Sequence, residues 1–77
     1  MKLSKLNEAL TAYDRVIANY PSATEQVASA YFKRGGVFAQ LGQADNARES
    51  YETVVKQYPT SQSASLAKQR LEGLDKR

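Results

Sequence analysis

A pattern of 13 residues occurs twice in this chain without a gap, and no other feature limits the fold as strongly. The stretch 9–21, ALTAYDRVIANYP, aligns on 47–59, ARESYETVVKQYP, and every matched pair is 38 positions apart, as Pro21 and Pro59 are. A fixed period of this size marks stacked copies of one supersecondary unit. Each copy carries a small Ala, an aromatic four residues on, a β-branched pair, and then Tyr-Pro. Spacings of three and four put Ala9, Tyr13, Val16, Ile17 and Tyr20 on one side of a helix, and likewise their counterparts. Proline disfavours helical geometry in the preceding residue and has no N–H to donate, so both helices should stop at Tyr20 and Tyr58.

The remaining segments follow the same logic. Val27, Tyr31, Gly35, Phe38 and Leu41 keep helical spacing, and Gly42 suits a left-handed cap just beyond them. Ala64, Ala67, Leu71 and Leu74 repeat that spacing after Pro59. The expected elements are helices over 3–20, 24–41, 45–58 and a capping helix over 62–75, with no polar–apolar alternation to support a strand. Asp45 suits the start of its helix, where a carboxylate meets the positive end of the dipole, and Asn7 holds the matching place one period earlier. Leu3, Leu6, Leu10, Tyr13 and Ile17 form a long apolar seam on the first helix.

At 77 residues the chain is expected to be one domain, 1–77, of a size at which a hydrophobic core alone is marginal. Cysteine and histidine are both absent, which removes disulfides, soft-metal sites and the usual neutral-pH acid–base group. The carboxylates Glu8, Asp14, Asp45, Glu49 and Glu52 do not pair inward, so they read as caps and solvated faces rather than as general acids and bases. The chain is therefore expected not to be an enzyme and to need no cofactor or metal. A formal charge of +3 is a common route to solubility. Lys68, Arg70, Lys76 and Arg77 lack interleaved aromatics, so nucleic acid is not an expected partner. No apolar run reaches the roughly 18 to 20 residues that span a bilayer, so membrane insertion is not expected either.

The segment from Tyr31 to Pro59 resembles the tetratricopeptide repeat, whose signature is an aromatic, Leu-Gly, a second aromatic, then Ala-x-x-x-Phe and a proline. Tyr31, Gly35, Phe38, Ala47, Tyr51 and Pro59 fill these slots, while Arg34 stands where the family prefers leucine. Its aliphatic stem would have to cover that contact between the helices. The period exceeds the family's typical value of about 34, and the surplus lies in 21–26. Together with the Tyr-Pro stops and the string Ala30-Tyr-Phe-Lys-Arg-Gly35, this looks like bacterial cell-envelope members of the family, which would imply the periplasm or envelope as compartment.

The resemblance implies an all-α fold of antiparallel helix pairs stacked as a short right-handed solenoid, with the first helix of each repeat lining a concave face. Here the order is second, first, second, first. Gly35 reads as the close-packing point between the helices of a repeat. The tyrosines 13, 20, 51 and 58, repeated in register, read as core. Phe32, Lys33, Gly36, Ala39 and Gln40 fall off the buried stripe and form the expected partner-binding set. Phe32 has two readings, an exposed anchor or a packing contact near Leu66 or Gln69.

Two functions follow. The first is a scaffold holding a segment of another protein or peptide on the face lined by helix 24–41 and the last helix. The alternative is a self-assembling structural module, in which uncovered first and last helices stack head to tail or exchange into a dimer.

Overall fold

The computed structural model describes residues 3–75, with side chains described from Lys5 to Leu74. Four helices follow one another: α1 (Leu3–Asn19), α2 (Thr24–Gln40), α3 (Ala44–Gln57) and α4 (Gln62–Asp75). No strand occurs among the described residues. Each helix packs on the next, and α2 also packs on α4. Turns this short between packed helices force neighbours to run antiparallel.

The turns explain where the helices stop. α1 ends at Asn19, with the Tyr20 N–H still donating to the Val16 carbonyl at 3.0 Å before Pro21. α3 ends at Gln57 before Pro59. At the end of α2, Gly42 adopts φ 77°, the left-handed geometry expected of it. Its N–H donates to the Ala39 carbonyl, and the Gln43 N–H donates to that of Phe38 at 2.9 Å. This pair of reversed bonds satisfies carbonyls that the helix would otherwise leave open.

α1, α2 and α4 start at the expected residues, and α3 starts one residue early, at Ala44, with Gln43 as its cap residue and no side chain bonding the cap. Asp45 lies within the first turn of α3, at the positive end of the dipole as expected. Asn7 lies inside α1, not at its start. By contrast, the Ser61 hydroxyl oxygen accepts the Ala64 N–H at 3.2 Å and caps α4.

The core gathers around α3. Ala28, Ala47, Tyr51, Val54, Ala64 and Ala67 form a buried cluster, with Tyr31, Phe32, Phe38, Tyr58, Leu71 and Leu74 packed against it. The seam on α1 is less covered: Leu6, Leu10, Tyr13 and Ile17 are all half-buried, and the Leu3 side chain lies outside the described residues.

The repeated tyrosines divide. Tyr51 is buried, and Tyr58 stacks on Tyr31 with ring centroids 6.3 Å apart. Tyr20, expected in the core, is instead 62% exposed. The position one period before Tyr31 precedes residue 1, so among the described residues Tyr20 has no counterpart of that stacking partner.

Candidate interaction surface

Gly35 sets the geometry from which the surface is built. A Cβ at this position would lie 2.6 Å from the nearest Tyr51 ring atom, closer than carbon atoms tolerate, so only glycine lets the ring lie on the α2 backbone. The roughly 1 kcal/mol cost of glycine inside a helix is thereby offset by close packing. The Tyr51 hydroxyl ends near Gly36, where an added Cβ would be 3.8 Å from it. Burial raises the Tyr51 hydroxyl pKa above its ordinary value, with the positive charge of Arg70 acting in the opposite direction.

Above this floor lies the surface. Phe32 tilts over Tyr51 with centroids 5.7 Å apart, and the Arg70 guanidinium of α4 sits 5.8 Å from the Phe32 centroid. Phe32 is half-buried, so part of its ring is packed and part remains open. Phe32, Lys33, Gly36, Ala39 and Gln40 all line one hollow of about 360 Å³, together with Tyr51 and Arg70. A neighbouring hollow of about 250 Å³ shares Ala39, Tyr51 and Arg70 and runs on to Gly73 and Leu74. The two make a furrow between α2 and α4, apolar at its base and carrying exposed cations, Lys33 and Arg70, on its sides.

Sequence reasoning missed two members of this surface. By sequence Arg70 groups only with the other cations of the last helix, yet it stands one period after Phe32, at the matching place on the neighbouring first helix. Tyr51 was read as core alone. It is core by burial, but the edge of its ring also closes the base of the hollow.

Arg34 does more than extend its stem over a thin contact. Its Nε lies 3.0 Å from an Asp14 carboxylate oxygen of α1, without the alignment a hydrogen bond needs, and its guanidinium sits 5.2 Å from the Phe38 ring centroid. In place of leucine packing, the slot holds an ion pair to α1 and a cation–π contact.

Among the described residues, no group of His, Cys, Asp and Glu could hold a metal ion. Among the same residues, no helix is long and apolar enough to cross a membrane. The tetratricopeptide repeat family model matches residues 1–62, more than half of the chain. The chain belongs to the tetratricopeptide repeat family. Repeats of this family generally mediate protein–protein interactions and act as non-enzymatic scaffolds. No curated protein and no solved structure is significantly similar to the chain.

Proposed function

We propose that the furrow between α2 and α4 holds an extended segment of another protein. The observation that carries this reading is Phe32, a partly open aromatic ring set between Tyr51 and a cationic side chain of the neighbouring helix. An aromatic at the centre of a concave patch is the usual anchor of a binding surface. Gly36 and Ala39 leave the furrow floor low enough for a backbone to approach, while Lys33 and Arg70 favour an acidic side chain beside the apolar one. The fitting partner is a segment that alternates apolar and acidic residues.

Selection from a random-peptide library displayed on phage tests this. Enriched peptides should be rich in Asp or Glu next to an aliphatic or aromatic residue. They should bind Phe32→Ala at least fivefold more weakly, the loss expected of an anchor worth 1 kcal/mol or more. Peptides indifferent to both Phe32→Ala and Arg70→Ala would remove the furrow as the binding site.

The Tyr-Pro stops and the string Ala30-Tyr-Phe-Lys-Arg-Gly35 support placing the chain with bacterial cell-envelope members of the family. Cross-linking in cells that carry it would find envelope proteins as neighbours, and exclusively cytoplasmic neighbours would overturn that placement.

A further inference from the structure

One face of α1 is bare where its counterpart on α3 is covered. Tyr51 lies on Gly35 of α2, Tyr58 stacks on Tyr31, and Val54 between them is fully buried. One period earlier, Tyr13, Val16 and Tyr20 instead line an open hollow of about 760 Å³, completed by α2 residues that include Ser29 and Lys33 and, at one end, by Gln62 and Ser63 at the start of α4. The α2 residues on this hollow stand one period before Ala67 and Leu71, which in α4 pack into the core around α3 and α2. The hollow is thus the seat that α2 occupies one period on, with none of the described helices in it.

α4 shows the converse. Ala28 and Gly35 are the α2 residues that meet the cluster of Ala47, Tyr51 and Val54. One period later come Leu66 and Gly73. Leu66 is 47% exposed, and a Cβ on Gly73 would meet no atom within 4 Å. The two large apolar side chains most exposed among the described residues, Tyr20 and Leu66, therefore lie on these two faces of opposite kind. One face has the aromatic without its glycine, and the other has the glycine without its aromatic.

We propose that α4 of a second copy seats in the hollow over α1, so that the Tyr13 ring lies on Gly73 of that copy and its Leu66 packs against Ala9, Tyr13 and Val16. The interface continues the packing of α2 on α3 by one period, and this continuity commits the seat to a copy of this chain. α4 presents a glycine seven residues after an apolar side chain, as α2 does from Ala28 to Gly35. The two surfaces differ, so the contact is head to tail and does not close on itself; mass should grow beyond a dimer.

Sedimentation equilibrium of the 77-residue chain from micromolar to millimolar concentration tests the seat. The wild-type mass should rise past that of a dimer. Gly73→Ala should weaken association at least tenfold, because the added methyl meets the Tyr13 ring as it would meet Tyr51 at Gly35, while its thermal transition at the lowest concentration is not lowered. Tyr20→Lys should weaken association similarly by placing a cation opposite Lys68 and Arg70. Each variant blocks a different face, so an equimolar mixture of the two should form a dimer and stop there. A wild type that stays monomeric at millimolar concentration, or halts at a dimer, would overturn the proposal. So would unimpaired assembly of Gly73→Ala, or a mixture that remains monomeric.

Discussion

Tyr51 and Val54 in α3 are sealed from solvent at 3% and 0% exposure, whereas Tyr13 and Val16, the same residue types one period earlier in α1, are half-exposed. The helices have similar sequences, the same apolar side and the same Tyr-Pro stop. What differs is the neighbour. α2 lies over α3 and sets Gly35 against the ring, and no described helix does the same for α1. A side chain's contribution to stability therefore follows from what covers it, and a repeat sequence specifies a face without specifying its cover.

The sharpest way to break this comparison is to truncate the two tyrosines. Tyr51→Ala removes a buried aromatic from the centre of the core, a change that costs about 3 to 5 kcal/mol in packed interiors. That is comparable with the whole stability of a chain this small, so its cooperative thermal transition should vanish. Tyr13→Ala, taken from a half-open face, should cost about 1 kcal/mol and leave the transition in place. Equal losses in circular dichroism melts at low concentration would mean that α1 is covered in solution.

The two glycines make the next contrast. Gly35→Ala forces a methyl into the Tyr51 ring and should destabilise by about 1 to 3 kcal/mol, even after the gain in helix propensity. Gly73→Ala meets nothing within 4 Å and should stabilise dilute protein by up to about 1 kcal/mol. Denaturant titration of both variants would show opposite signs. A destabilised Gly73→Ala would contradict the open geometry at that site.

Much of this was legible in the residues. The 38-residue register carried the helix order, and a glycine inside a helix marked Gly35 as a close-packing point, because backbone approach at glycine is a local requirement that sequence records directly. The convergence of Phe32, Lys33, Gly36, Ala39 and Gln40 on one hollow followed from helical spacing, since all five lie on α2. Tyr20 departs from expectation because burial is not a local property, and the counterpart of Tyr31 one period earlier is not among the described residues. Arg34 was half-read for a related reason: α1 and α2 had to be packed together before Asp14 could be recognised as its partner.

Capping gives a smaller contrast between the repeats. Ser61 and Ala23 occupy matched positions, yet only Ser61 holds an N–H of its helix with its side chain. Ser61→Ala should therefore cost about 1 kcal/mol. Ala23→Ser should return part of that amount to the start of α2, read as a rise in the midpoint of urea unfolding.

The smallest effect expected comes from the ion pair that joins the first two helices. Arg34 and Asp14 have side chains 27% and 56% exposed, so solvent screens most of their attraction and Asp14→Ala should cost only a few tenths of a kcal/mol. The loss should shrink further in 1 M salt, where the screening length falls to about 3 Å. One period on, the matched positions are Glu72 and Glu52, two acids in place of a cation and an acid. Glu72→Arg should thus give the junction between α3 and α4 the pair that α1 and α2 already have, with a similar small gain that salt also removes. If Glu72→Arg changes nothing at low salt while Asp14→Ala still destabilises, the two junctions differ in register as well as in charge, and the pairing of residues 38 apart fails at this point on the helices.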